Sequence, residues 1–246
     1  MTGLATTLAA HIGYTTAGTI EGLLVDDDFY FLEMNTRLQV EHGVTELVTG
    51  LDLVAWQIRV AAGERLPQSV MAATPFGHAI EARIYAEDPH RRFAPVSGTV
   101  TAWRMPAGPG VRVDAGVTRD TSLPVEYDPL LAKLLVHAEG RPAAVARLRR
   151  ALDETAVGGV QTDLSFLRWL VDEPGFATGA YDTGLIRDEW GDGPELTELE
   201  RSLAGEVARA ARASSSPGPA ARAPVEAESA WQQVARREAV GRRRPG

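Results

Sequence analysis

The 246-residue sequence predicts an α+β fold, and three observations carry that prediction. Apolar residues recur at helical spacing in several stretches, and short extended runs punctuated by Gly, Pro and Asp fill the middle of the chain. Hydrophobic residues make up 44% of the chain against 24% charged, enough to build a core. The expected order is an antiparallel hairpin with flanking helices, then a mixed α/β region with antiparallel strands, then a helix and a linker.

Residues 2–12 read as a helix, with Leu4, Leu8 and Ile12 four apart and Gly13 as the stop. Extended runs at 17–25 and 29–35 flank Asp26-Asp27-Asp28, which predicts a hairpin centred on Asp27. Residues 44–62 carry the helical stripe Val44, Leu47, Val48, Leu51, Val54 and Ile58, with a break at Gly50 and an end at Gly63. From Gly77 to about Val136 the chain reads as short strands, with turns at Glu87-Asp88-Pro89 and Ala107–Gly110. Residues 141–155 form a helix with Pro142 near N1, and residues 163–171 form another, stopped before Pro174. A charged helix is expected over 194–213, a Ser/Pro/Ala linker over 213–224, and little order after it.

Composition narrows the function. There are no cysteines, which excludes disulfides, thiolate metal sites and cysteine nucleophiles. The net charge of −8 argues against a nucleic-acid surface. No run reaches the roughly 18 apolar residues of a membrane span, and no secretory signal is visible, so the expectation is a cytoplasmic location with no membrane partner. Of the 25 basic residues only Lys133 is a lysine; this skew resembles coding bias.

The chemistry concentrates in Phe31–His42, FLEMNTRLQVEH. Strand alternation would put Glu33, Asn35, Arg37, Gln39 and Glu41 on one face, with Met34, Thr36, Leu38 and Val40 on the other. A hairpin centred on Asp27 sets Glu21 opposite Glu33, and two facing carboxylates repel. One reading is a half-buried strand with a solvated polar face. The other is a divalent cation site in which the carboxylates and Asn35 hold Mg²⁺, Arg37 faces an anion and Glu41 acts as a general base. Spacing alone leaves both open. Glu81 and Arg83 share a strand face and read first as an ion pair, His42 and His78 as structural histidines, and Lys133 as a paired structural lysine.

Three blocks then resemble one family in order and spacing: FYFLEMNTRLQVEH followed by VTELVTGLDLVAWQIRVAAGE, GHAIEARIYAEDP at 77–89, and EYDPLLAKL at 126–134. They resemble the biotin carboxylase component of acetyl-, propionyl- and methylcrotonyl-CoA carboxylases and of pyruvate carboxylase. The resemblance implies the C-terminal part of an ATP-grasp domain over 1–63, a biotin carboxylase C-terminal domain over 64–190, and a helix and flexible linker over 191–246. It implies that Glu21, Glu33 and Asn35 hold Mg²⁺ or Mn²⁺ under the ATP phosphates. Arg37, Gln39 and Val40 would bind bicarbonate, Val40 through its backbone, and Arg83 the carboxyphosphate and biotin end. Glu41 would deprotonate bicarbonate, and Arg37 would also stabilise the biotin enolate. The implied cofactors are ATP with its metal, and biotin as a carried substrate. The implied partners are a biotin carboxyl carrier domain and a carboxyltransferase subunit.

The sequence also departs from the family. No Gly-rich phosphate loop precedes the hairpin, so the resemblance implies an α-subunit piece that is inactive alone. It would be completed in trans by an N-terminal half, or kept as a non-catalytic assembly module. Gly43 stands where the family usually has proline, and Gly22 where it has an aromatic residue. Arg112 lies in a stretch resembling a homodimer interface, although Pro109 replaces an aromatic residue there. No lysine follows Lys133, so biotin is not attached to this chain.

Overall fold

The computed structural model describes residues 2–26, 28–191 and 193. The helix and linker expected over 194–246 and the hairpin centre at Asp27 lie outside the described residues. The order begins with α1 (Thr2–His11), β1 (Thr19–Val25) and β2 (Asp28–Asn35), the last two forming the expected antiparallel hairpin. The predicted 44–62 helix is two helices, α2 (His42–Thr49) and α3 (Leu53–Ala61). Gly50 adopts the left-handed conformation at φ 70° that closes α2, and the Asp52 carboxylate caps α3 by accepting from the Ala55 N–H. A short α4 (Gln68–Met71) follows.

Next come β3 (His78–Tyr85) and a series of short strands: β4 (Glu87–Asp88), β5 (Ala94–Pro95), β6 (Gly98–Thr99) and β7 (Ala102–Arg104). They are followed by β8 (Val111–Ala115), β9 (Ser122–Leu123) and the long β10 (Leu130–Ala138). The chain continues through α5 (Arg141–Glu154), β11 (Ala156–Gly158), α6 (Leu164–Asp172) and α7 (Pro174–Thr178). The central sheet has the order β3-β10-β8, antiparallel throughout. The strand and helix mixture is the α+β class that the sequence predicts. Glu87 and Asp88 pair with β5, and Pro89–Arg91 forms a 3-10 turn, so the expected simple turn there is a small hairpin. Among the described residues no helix is long and apolar enough to cross a membrane.

The two faces of the β3-β10-β8 sheet do different work, because strand side chains alternate. One face presents Ala82, Ile84, Leu134 and Val136, all buried, to Val145, Leu148 and Leu152 of α5 and to Leu164 and Val171 of α6. This is the core. The opposite face carries Glu81, Arg83, Lys133, Asp114 and Arg112, and it lies against α2.

Candidate functional site

The hairpin brings Glu21 opposite Glu33, but not by the symmetric route. Val25 pairs with Asp28, Leu24 with Phe29, Leu23 with Tyr30 and Gly22 with Phe31, with Asp26 at φ 54° in the turn. Continued unchanged, that register would oppose Glu21 to Leu32. A bulge at this point shifts the pairing, so that Glu21 meets Glu33, Ile20 meets Met34 and Thr19 meets Asn35. Gly22 sits at the bulge, where an added Cβ would lie 2.3 Å from the Phe29 ring and 2.4 Å from the Tyr30 carbonyl. The Phe29 ring thus occupies the space that a side chain at position 22 would need.

The polar groups gather around Glu21. The Asn35 Nδ2 donates to Glu21 Oε1 at 2.6 Å and to Glu33 Oε1 at 3.4 Å, and the Gln39 Nε2 donates to the same Glu21 oxygen at 2.6 Å. Two carboxylates thus share one strand-pair face and one amide. Among the described residues no group of three acidic or histidine side chains forms a metal cage. The donor set fits Mg²⁺, which takes one or two carboxylates and completes its shell with water and substrate phosphates. Turning the Asn35 amide through a half-rotation would present its oxygen to such an ion.

Strand alternation does not extend to Arg37, Gln39 and Glu41. Strand β2 ends at Asn35, and residues 36–41 form a loop that enters α2. The loop still gathers these side chains: Arg37, Gln39, Glu41 and His42 line one open cleft of about 380 Å³ with Thr16 to Thr19. Arg37 and Glu41 are exposed in it, and among the described residues Arg37 forms no ion pair. The His42 Nδ1 lies 2.9 Å from the Gln39 carbonyl. The Val40 carbonyl accepts from the Lys133 Nζ at 2.9 Å. The Val40 N–H is then the backbone group left for an anion.

On the polar face of the sheet, Arg83 stands opposite Lys133 in the register and is exposed. The Glu81–Arg83 ion pair expected from strand alternation is not present; both Glu81 oxygens are buried without a hydrogen-bond partner among the described residues. Burial pushes the Glu81 carboxyl above the usual carboxylate range and the nearby Glu41 charge adds to this, against Lys133, Arg83 and His42. Beside it runs a chain of ion pairs. The Arg112 guanidinium donates to both Asp114 oxygens at 2.8 Å and to Glu46 at 2.6 Å. Lys133 lies 3.5 Å from Asp114, and Glu46 also accepts from the Leu53 N–H at 2.7 Å. Burial alone would raise Asp114, but Arg112 and then Lys133 hold it below its ordinary range. The Arg112 guanidinium is therefore engaged within the chain.

Sequence reasoning missed the reach of Lys133, the isolation of Glu81 and the fit of Gly43. An added Cβ on Gly43 would lie 2.4 Å from Leu135 Cδ2, so β10 fills the space that a larger residue at the start of α2 would occupy. The oddity of a glycine there was the available signal.

Comparisons with known proteins find two domain families along the chain. Residues 81–188 match the biotin carboxylase C-terminal domain, and residues 1–69 match the carbamoyl-phosphate synthase L chain ATP-binding domain. Biotin carboxylase of a Nostoc species is 46% identical over 181 residues, covering 73% of this chain and 40% of that protein. The propionyl-CoA carboxylase alpha chain of Ruegeria pomeroyi is 44% identical over 231 residues, covering 85% of this chain and 34% of the relative. The biotin carboxylase domain dimer of the Hydrogenobacter thermophilus 2-oxoglutarate carboxylase, solved with MgADP, ADP and bicarbonate, superimposes with a TM-score of 0.76 at 40% identity. That superposition covers 79% of this chain and 43% of that one. The fold and these matches place the chain in the class of ATP-binding carboxylase domains. Within it, residues 81–188 carry the biotin carboxylase C-terminal domain, and the matched residues are similar to biotin carboxylases. The chain spans about two fifths of the length of such relatives.

Proposed function

We propose that this chain supplies the metal and bicarbonate edge of a biotin carboxylase active site. The reaction would be the ATP- and bicarbonate-dependent carboxylation of biotin on a carrier domain. The observation that carries the reading is the pairing of Glu21 with Glu33 at the bulge, bridged by Asn35 and flanked by the cleft of Arg37, Gln39 and Glu41. In this reading residues 1–63 are the end of an ATP-grasp domain and residues 64–190 the C-terminal domain; the two family matches, ending at 69 and starting at 81, support that division.

Glu21, Glu33 and Asn35 would hold Mg²⁺ or Mn²⁺. When bound, that ion neutralises phosphate charge and orients the nucleotide. Arg37, Gln39 and the Val40 N–H orient bicarbonate in the cleft. Glu41 accepts the bicarbonate proton, which leaves an oxygen free to attack the γ-phosphate and displace ADP, forming carboxyphosphate. Carboxyphosphate divides into CO₂ and phosphate, the phosphate takes the biotin N1 proton, and Arg37, facing the anionic end of the site, favours by its fixed charge the biotin enolate that captures the CO₂. Arg83, on the neighbouring sheet face, completes the cationic lining. A carboxyltransferase would consume the carboxybiotin.

The exposed apolar residues Leu23, Leu24, Tyr30, Phe31 and Leu32 support the reading that further polypeptide covers the hairpin and supplies the nucleotide clamp. The chain alone is then expected to be inactive. The test is a chimera in which residues 1–188 replace the matching segment of the Nostoc biotin carboxylase. ADP formation that depends on both bicarbonate and biotin is expected, reduced at least 100-fold by Arg37→Ala, a loss of the size seen when a charge-stabilising group is removed. A folded chimera without turnover, or one indifferent to Arg37→Ala, would contradict the assignment.

A further inference from the structure

The sequence carries 25 basic residues, of which one, Lys133, is a lysine. The structure gives this lysine a distinct setting. The Lys133 side chain is 11% exposed, and its Nζ donates to the Val40 carbonyl at 2.9 Å across a sequence separation of 93. Its other partner, Asp114, is already gripped through both oxygens by Arg112. A compact ammonium with rotatable donors fits between one carbonyl and a carboxylate whose one edge Arg112 already occupies; a planar guanidinium fork does not. On the third side lies Glu81, with both oxygens buried and no partner among the described residues.

We propose that Lys133 is a positioning residue of the anion cleft: its ammonium fixes the Val40 carbonyl and with it the peptide that leads into Glu41. Residues 36–41 are a loop rather than a strand, so no ladder of backbone hydrogen bonds sets the direction of Gln39, Val40 and Glu41. The bond from β10 supplies that constraint. It ties the loop to the same sheet that carries Arg83, so the two halves of the cationic lining share one rigid support. The bicarbonate role of the cleft rests on the function proposed above; the anchoring of the loop does not.

The single lysine makes the test direct. In the full chain labelled with ¹⁵N at lysine and at the backbone, one ammonium signal reports Lys133. Lys133→Arg and Lys133→Met are compared with the unaltered chain. Both variants are expected to keep the core amide spectrum, while exchange of the His42 and Val44 amide protons, which are bonded to the Gln39 and Glu41 carbonyls on either side of Val40, speeds up at least tenfold. Bicarbonate added to the unaltered chain is expected to shift the lysine signal, and bicarbonate affinity is expected to fall at least tenfold in Lys133→Arg. Unchanged exchange at 42 and 44 would overturn the anchoring. Bicarbonate binding equal in the unaltered chain and Lys133→Arg would overturn the link between anchor and cleft. Fast exchange at 42 and 44 in the variants with no bicarbonate binding by the unaltered chain would keep the anchor and refute the proposed function of the cleft. Should Lys133→Met lose its core spectrum, Asp114→Asn, which leaves the Val40 bond in place and removes the charge that faces Lys133 and Arg112, is expected to give a smaller rise in exchange at the same amides, and no rise would count against the proposal.

Discussion

Leu32 has no partner across the hairpin, and the face on which Glu33 appears depends on it. Without the bulge, the register set at Val25 and Asp28 would turn Glu33 to the other side of the strand pair, away from Glu21. The same dependence on single residues holds across the cleft. Gly43 leaves room for Leu135, and Lys133 reaches Val40 because α2 packs close to the sheet. Glu81 is the group this packing strands. Its carboxyl is raised mainly by burial, so the folded chain holds that proton to higher pH than the unfolded chain does. The stability linked to it is complete below the ordinary carboxylate range and is lost as pH rises through the folded value. Glu81→Gln keeps the shape and removes the charge. Its melting temperature should match that of the unaltered chain near about pH 4 and exceed it near about pH 8. A lower melting temperature at the higher pH would mean that the ionised carboxylate is the stabilising form.

At the scale of elements, the hairpin, the break at Gly50 and helix α5 were legible because each rests on local signals. Turn residues mark the first, a left-handed glycine the second, and apolar spacing behind Pro142 the third. The end of β2 at Asn35 was legible too, but the single strand face expected for Arg37, Gln39 and Glu41 was not, since their polar alternation continues past the last ladder bond. The short β11 and α7 were not read at all, because their form depends on partners distant in sequence. Strand β11 exists only through its pairing with β7. The start of α6 is held in a similar way. The Asp163 carboxylate accepts from the Tyr85 N–H at 3.0 Å, which ties that helix to the end of β3. Burial pushes the Asp163 carboxyl up to about 7. Between about pH 4 and that value the folded chain binds the extra proton, so stability falls as pH rises across the window, by at most about 1.4 kcal/mol per pH unit. Asp163→Asn keeps an oxygen for the Tyr85 N–H and should flatten that slope in urea unfolding followed at several pH values. An unchanged slope would assign the pH dependence elsewhere.

Across the whole molecule, burial is unevenly distributed. The core lies between the sheet and helices α5 and α6, and Trp190 packs beside it against Phe166 and Trp169. The segment before β3 is different. Among its described residues only Gly43 and Glu46 are classed as buried, while Leu23, Leu24, Phe31, Leu32, Ile58 and Phe76 are more than half exposed. The candidate site sits on this sparsely covered part and is steadied from behind by the polar face of the sheet. The carboxylates and the loop were legible in the sequence because they are close together in it. Their support from Lys133, Asp114 and Glu46 was not, because it joins residues brought together only by the fold.

The proposed function requires the bulged hairpin to make a divalent metal site of Glu21, Glu33 and Asn35. The most direct measurement is paramagnetic broadening of the ¹⁵N-labelled chain by Mn²⁺, followed residue by residue, in the unaltered chain and in Glu33→Gln. Signals of Glu21, Glu33 and Asn35 are expected to broaden first, and Glu33→Gln to remove this selectivity while the spectrum of the core stays unchanged. Broadening that begins elsewhere, or that is the same in Glu33→Gln, would contradict the metal site.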